Sequence, residues 1–221
     1  MNTTTPSKRS DESQPRRPGR PKGNDSREQF LDAAVLLFSR QGVSATTLAH
    51  IAKEVGVTSA MVHYHFSNRE QLLDAVTTER ILPFVHALHA PLHTDDMSDP
   101  VAILRAMAEC LLEHVFKHEW LAPMWLSDVS SGSGELCQRI MPHVPAARVH
   151  QLTEAIAAAQ VRGEINPGLQ PHLIFMSIVG LVLLPFASLK DCRELHPGAD
   201  FSNEALRRHA MGAVDNLLRP L

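Results

Sequence analysis

Residues 46–73 read TTLAHIAKEVGVTSAMVHYHFSNREQLL, and their spacing predicts two short helices joined by a tight turn. Counting from Leu48, the small Ala52 stands fifth, where two crossing helices touch. Gly56 stands ninth, in the turn, where a Cβ is costly. Val62 stands fifteenth and packs the second helix onto the first. This pattern is typical of a helix-turn-helix; the alternative is an ordinary helical hairpin with a glycine turn.

The residues around this stretch predict a domain of short helices over residues 25–70. Apolar residues at helical spacing indicate a first helix that Asp25 or Ser26 caps and Gly42 ends. The predicted N-caps of the next three helices are Thr46 or Thr47, Thr58 and Asn68. We expect Pro83 to kink or end the fourth helix.

The rest of the chain, residues 71–221, also predicts helices. They are expected over 100–117, 119–129, 134–141, 145–162, 171–189 and 202–218. No run of alternating apolar and polar residues is long enough for a sheet. The predicted fold is therefore all-α, with a small N-terminal helix-turn-helix domain and a larger C-terminal helical domain.

Residues 1–24 are polar and basic and predict a disordered arm. The arm contains a Gly-Arg-Pro core, and we expect Arg17 and Arg20 to enter the minor groove of A·T-rich DNA. Residues 1–70 carry ten Lys and Arg against seven Asp and Glu, although the whole chain has a net charge of −3. This asymmetry indicates that one end of the molecule meets a polyanion.

Composition and motifs exclude several classes of protein. Three scattered cysteines argue against a disulfide scaffold and predict a reducing, cytoplasmic compartment. The longest apolar run is too short for a membrane span, so no membrane partner is expected. The sequence contains no phosphate loop, G-x-S-x-G, H-E-x-x-H or Cys-x-x-Cys motif. We therefore predict neither an enzyme nor a cofactor.

At residues 26–73 the sequence resembles the tetracycline-repressor-like (TetR/AcrR) family. The resemblance rests on Gly42, Thr46-Thr47, Ile51-Ala52, Gly56-Val57-Thr58, His63-Tyr64-His65-Phe66 and Ser67-Asn68-Arg69-Glu70-Gln71-Leu72-Leu73. His63 replaces the tyrosine that is usual in that motif, and Arg69 replaces lysine. The resemblance implies a ligand-responsive repressor, a dimer formed through the last two helices, a cavity in the larger domain, and a third helix that enters the major groove of operator DNA.

The predicted DNA contacts fall mainly on the third helix. Ser59, Ala60 and Met61 stand at its start and are candidates for contact with base edges, and His63 projects from the same helix. The resemblance implies that Tyr64, His65 and Arg69 contact phosphates, and Thr47 can donate to a phosphate from its cap position. The alternative for His65 and Tyr64 is a core or capping role.

Two sets of apolar residues are assigned to the C-terminal domain. The candidates for lining a ligand cavity, with plain core as the alternative, are Phe84, Phe116, Trp120, Met124, Trp125, Phe175 and Met176. Because the helix over 171–189 is apolar nearly all round, it must be buried on several sides. The expected dimer interface residues are Ile178, Gly180, Leu181, Leu206, Ala210 and Leu217.

A third set gives an alternative signal. Cys110, His114 and His118 recur every four residues and would stack on one face of a helix, which is a chelating spacing for a metal or redox sensor. The alternative interpretation is that this is a half-buried helix face on which the histidines occur by chance and bind no metal. The sequence thus favours a repressor released by a small apolar molecule, over a metal- or redox-sensing repressor or an architectural DNA-binding dimer without an effector.

Overall fold

The computed structural model describes Met1, residues 23–130, Gly132 and residues 134–220. Throughout that part of the chain the regular structure is helical, which confirms the predicted all-α class. The predicted arm, with Arg17 and Arg20, lies outside the described residues, apart from Met1 and the start of the first helix.

Four helices form the N-terminal part. They are α1 (Gly23–Gln41), α2 (Leu48–Val55), α3 (Ser59–His65) and α4 (Arg69–Val76). Helix α1 begins at Gly23, so the predicted cap at Asp25 or Ser26 is wrong. The hydroxyl of Thr47 accepts from the His50 amide, and Gly56 ends α2 in the left-handed conformation at φ 77°. The Asn68 side chain accepts from the Gln71 amide at the start of α4.

The core of this part forms where α1 packs on α2 and α2 packs on α3. Phe30 and Phe38 of α1, Ile51 of α2, Val62 of α3 and Leu72 of α4 are at most 1% exposed. Burying each of these side chains contributes about 1.5–3 kcal/mol. Because Val62 is held on all sides, α3 presents a fixed outer face.

The chain continues from α4 without a break. A π-helical segment, Thr77–Ile81, leads into α5 (Leu82–His89). Pro83 therefore does not end the helix. A proline has no amide hydrogen for the carbonyl four residues back, and the wider π turn just before it accommodates that missing bond. A continuous helical rod thus runs from the N-terminal helices into the larger part.

The remaining helices build the C-terminal part. They are α6 (Pro100–Lys117), α7 (Leu121–Met124) with a π segment (Trp125–Val129), α8 (Glu135–Ile140), α9 (Ala146–Val161), α10 (Pro171–Ala187), α11 (Leu189–Leu195) and α12 (Asn203–Leu218). Helix α10 ends two residues before the predicted boundary. The sequence analysis missed α11, because that helix buries no residue and has no apolar periodicity.

The two parts pack directly against each other, with α1 against α7. Arg80 of the π segment reaches back to α1, where its guanidinium donates to Glu28 at 2.5 Å and to Asp32 at 2.9 Å. Arg27 of α1 donates to Glu79 in the opposite direction. The start of α1 is therefore tied to the helical rod that enters the C-terminal part.

In the described residues, no single helix has the length and apolar character needed to cross a membrane, although α10 and α11, bent by 57°, pass that test as a pair.

Candidate nucleic-acid interface and apolar cavity

The outer face of α3 is polar and open to solvent. Ser59, Ala60 and His63 are exposed, and Tyr64 is 86% exposed. Met61 is half-buried and packs against the core beside the buried Val62. A large aromatic side chain exposed on a fixed helix is unusual without a partner, because its ring area is normally buried. Helix α3 therefore has a short exposed face whose orientation is determined by packing against the core.

The residues around this face have mixed roles. Thr47 is exposed, but its hydroxyl already accepts from His50, so it combines capping with an outward position. The His65 ring is half-buried and meets Phe30 edge-on at 5.5 Å and Tyr64 at 5.2 Å between ring centroids. It therefore supports Tyr64 from behind, close to the structural role that the sequence left as the alternative for His65.

Arg69 has different partners from the predicted phosphate. Its Nε donates to the Thr46 carbonyl at 3.0 Å and its Nη2 to the Val43 carbonyl at 2.7 Å. The same guanidinium forms a bidentate pair with Glu135 of α8, at 2.5 and 2.8 Å. Because these bonds occupy the planar fork, the expectation of a phosphate contact at Arg69 is corrected to a structural role. The Arg69 hydrogen bonds lower the pKa of the Glu135 carboxyl below its usual range.

A second arginine crosses the same boundary in the opposite direction. Arg139 of α8 donates from Nε to Asp74 of α4 at 2.8 Å, and its Nη2 pairs with Glu70. Helix α8 is thus joined to the first two turns of α4 by reciprocal arginine–carboxylate pairs. The set of Arg69, Glu135, Arg139, Glu70 and Asp74 is called the α4–α8 bridge below.

A cavity of about 280 Å³ lies in the C-terminal part. Its walls come from α5, α6, the π segment after α7, the end of α8, α9 and α10. The lining residues are Val85, Leu88, His89, Leu92, Met107, Trp125, Val129, Ser130, Ile140, Met141, Val144, Val149, Leu152, Thr153, Ile156, Pro171, His172, Phe175, Met176 and Val179. The lining is overwhelmingly apolar, which is the composition of small-molecule sites.

The predicted lining residues divide among several places. Trp125, Phe175 and Met176 line this cavity. Phe84 and Trp120 line a smaller cleft beside α1, and Phe116 lines a separate, charged groove between α6 and α11. Met124 is fully buried in the core. Sequence alone cannot separate these residues, because all seven have the same apolar or aromatic character.

Of the three residues with metal-binding spacing, two approach each other: the Cys110 Sγ lies 3.7 Å from the His114 Nδ1. The His114 Nδ1 donates to the Cys110 carbonyl at 2.7 Å, which is an ordinary bond within the helix. His118 lies past the end of α6 and stacks on Trp120. Burial raises the pKa of the Cys110 thiol, which disfavours the thiolate that binds metals. Within the described ranges no three His, Cys, Asp or Glu side chains are placed to hold an ion.

The exposed face of α10 differs from the predicted interface. Ile178 is fully buried, and Leu206 and Ala210 of α12 are 9% and 2% exposed, so all three belong to the protomer's own core. The apolar residues of α10 that face outward are instead Leu173, Met176 and Leu184, at 51%, 53% and 59% exposure. The predicted positions Gly180, Leu181 and Leu217 are half-buried. The contiguous apolar face is therefore rotated away from Ile178 and runs along Leu173, Met176, Gly180 and Leu184.

Comparisons with known proteins follow this division of the chain. Residues 30–76 match the family described as bacterial regulatory proteins, tetR family. These residues belong to the tetR family. The regulator AcrR of Shigella flexneri is 33% identical over 95 residues, which are 43% of this chain and 44% of that protein. The first curated relatives are each matched over less than half of their length. The tetR-family residues contain α2, α3 and α4 whole.

Solved structures resemble nearly the whole chain. The ketosteroid transcriptional regulator KstR2 of Mycobacterium tuberculosis has a TM-score of 0.62 at 18% identity and covers 90% of this chain and 97% of its own. SmeT, the repressor of the Stenotrophomonas maltophilia multidrug efflux pump SmeDEF, has a TM-score of 0.55 at 27% identity, covering 86% and 87%. The short N-terminal helices and the helical C-terminal part therefore occur together in proteins of known structure.

Three features of the site were not predicted from the sequence. His89 was not singled out, although it is the buried polar residue of the cavity wall. Glu135 and Arg139 were not recognised as partners of α4, because they lie more than sixty positions away in the sequence. Histidine at a helical apolar position gives some signal for the first. No local signal exists for the other two, since only tertiary packing brings α8 to α4.

Proposed function

We propose that this chain is a sequence-specific DNA-binding transcriptional regulator, a repressor released from its operator by a small molecule. The observation that carries the proposal is the outer face of α3. There, exposed polar and aromatic side chains stand on a helix that the buried Val62 and Phe66 hold in place. The tetR-family match at residues 30–76 supports the same conclusion.

The short helix α3 has the residues for two kinds of DNA contact. Ser59 and Ala60 stand in its first turn, where side chains of a recognition helix meet base edges. The Tyr64 hydroxyl and the His63 ring, one turn further, can reach phosphates, and Thr47 lies at the adjacent N-terminus of α2. His65 orients Tyr64 by ring contact. Arg69 contributes indirectly, since it fixes the Val43 and Thr46 carbonyls that precede α2.

We further propose a homodimer formed through α10, with α12 beside it. The face along Leu173, Met176, Gly180 and Leu184 exposes three large apolar side chains, and Gly180 lies at its centre, where backbones can approach closely. A two-fold dimer pairs this patch with itself. It also presents two α3 helices to the two halves of a near-palindromic operator.

The cavity supports regulation by a small apolar effector. A ligand releases DNA only when it binds the non-DNA conformation better, so occupancy must be linked to α3. Trp125 and Val129, which precede α8, line the cavity. Ile140, the last residue of α8, and Met141, which follows it, line the cavity as well. Asp128 joins these walls, because its Oδ2 accepts from the Leu136 amide at 2.9 Å and from the Cys137 amide.

The α4–α8 bridge completes the proposed route. A ligand that displaces the wall around Trp125 moves α8, and Glu135 then pulls on Arg69 at the first turn of α4. Arg69 also holds the two carbonyls ahead of α2, so its movement changes how α2 and α3 sit relative to the C-terminal part. In a dimer this alters the spacing of the two recognition helices.

The test starts with selection of DNA sequences by the purified full chain from a random library, followed by affinity measurement on the enriched site. We expect an enriched near-palindrome. Tyr64→Ala and His63→Ala should each weaken its binding at least about tenfold, as for the loss of a charge-assisted hydrogen bond. His150→Ala is the matched control, because His150 is equally exposed but lies on α9. Unselective DNA binding would favour an architectural protein, and wild-type affinity of Tyr64→Ala would overturn the docking.

A further inference from the structure

The described residues that form the cavity wall carry no formal charge. Among its twenty lining residues there is no Asp, Glu, Lys or Arg. Besides Trp125, whose indole carries one N–H donor, the polar side chains in the lining are His89, Ser130, Thr153 and His172. An ion placed there would lose its hydration without gaining a counter-charge, which costs several kcal/mol. The wall therefore discriminates against charged molecules of either sign.

His89 differs from the other polar residues of the lining in its burial. It is 6% exposed, whereas Ser130 and His172 are exposed to solvent at the rim. Thr153 is half-buried, and its hydroxyl already donates to the Val149 carbonyl at 3.0 Å. His89 is thus the polar group that meets the interior end of any molecule in the cavity.

The hydrogen bonding of His89 determines what it can recognise. Its Nδ1 lies 2.8 Å from the Val85 carbonyl oxygen, which can only accept, so Nδ1 carries the proton. The lone pair of Nε2 is then an acceptor. In the described residues every fully buried side-chain nitrogen or oxygen has a hydrogen-bond partner. Since Nε2 has no such bond, it is not fully buried, and His89 lines the cavity. Burial also lowers the pKa of His89, which keeps the ring neutral.

We propose that the cavity takes an uncharged, largely apolar molecule that donates one hydrogen bond, from a hydroxyl or an N–H group, to Nε2 of His89. This inference rests on the proposed effector site. The rings of Trp125 and Phe175 line the same space, and Phe175 lies 6.4 Å from the His89 ring, so a flat aromatic body fits beside the acceptor. Selectivity follows from one buried acceptor in a neutral apolar wall.

Three related probes test the chemistry on the unmodified full chain without DNA. They are 2-naphthol, which donates a hydrogen bond, 2-methoxynaphthalene, which cannot, and 2-naphthoate, which is an anion. Calorimetric titration should show that 2-naphthol binds roughly tenfold more tightly than the ether, as expected for one buried hydrogen bond. The naphthoate should bind more weakly still. Equal binding of naphthol and ether, tighter binding of naphthoate, or no binding of naphthol would each overturn the proposal.

A pair of variants locates the acceptor. His89→Leu removes Nε2 and should abolish the preference for naphthol over its ether. His93→Leu is the control, because His93 is an exposed histidine one turn later, outside the cavity lining. Both variants are checked by circular dichroism, and an unchanged preference in folded His89→Leu would overturn the assignment to His89. Since no DNA is present, these results are independent of operator binding, whose failure would count against the proposed function instead.

Discussion

The N-terminal part and the C-terminal part of the chain encode their proposed functional surfaces in different ways. In the first, the cap at Thr47, the turn at Gly56 and the buried Leu48, Ile51, Ala52 and Val62 all lie within residues 47–62, so the outer face of α3 is determined locally. In the second, α10 is apolar on all sides, and packing against α6, α9 and α12 decides which residues face inward. Local signals therefore determine which side chains α3 exposes. Tertiary contacts determine which residues line the cavity and which face of α10 stays exposed.

The strongest test of this contrast concerns the free face of α10. Leu184→Glu places a charge in the proposed interface, where it would be buried without a counter-ion in both protomers, at a cost of several kcal/mol. We expect monomers in analytical ultracentrifugation and loss of operator binding, because a single half-site contact is weak. The matched control is Val161→Glu, at a position on α9 that is 89% exposed. Dimers that persist in Leu184→Glu would place the interface elsewhere.

The second test addresses the locally encoded half. Gly56 adopts φ 77°, so Gly56→Ala should lower the free energy of unfolding by about 1–2 kcal/mol, the cost of the left-handed conformation for a residue with a Cβ. A Cβ there would meet no atom within 4 Å, so the loss would come from backbone strain alone. Gly56→Asn is the comparison variant and should lose less, since asparagine tolerates this conformation. Urea unfolding measures both, and equal losses would show that the left-handed conformation is not the source of the cost.

The difference between the two parts also explains which features could be predicted from the sequence. The caps at Thr47 and Asn68, the turn at Gly56 and the buried Val62 were predicted and are confirmed, because each depends on neighbours within four or so residues. Ile178 was assigned to the interface but is core, since an apolar helix has no polar side from which its orientation can be inferred.

Arg69 shows the same limit of sequence-based prediction for a polar residue. The family resemblance implied a phosphate partner for Arg69. The fold instead supplied two carbonyls and the carboxylate of Glu135, from a helix sixty-six positions away. For the same reason, three of the seven residues that were predicted to line the cavity do so. Contacts at that sequence separation leave no periodicity to read.

The smallest expected effect, and the one that joins the two halves, concerns the α4–α8 bridge. Glu135→Gln removes the charge that pairs with Arg69 but leaves the bonds from Arg69 to the Val43 and Thr46 carbonyls, so α3 keeps its position and operator affinity should change little. Release of the operator by 2-naphthol should need roughly two- to fivefold more ligand, because a partly exposed ion pair contributes at most about 1 kcal/mol to the coupling. Glu164→Gln is the matched control: Glu164 also pairs with an arginine, Arg162, but in the loop after α9 and away from α4. Fluorescence anisotropy with a labelled operator measures both variants. If Glu135→Gln and Glu164→Gln release the operator at the same naphthol concentration as the unmodified chain, then the signal passes through the α1–α7 contact or the α5 rod, and the bridge serves stability alone.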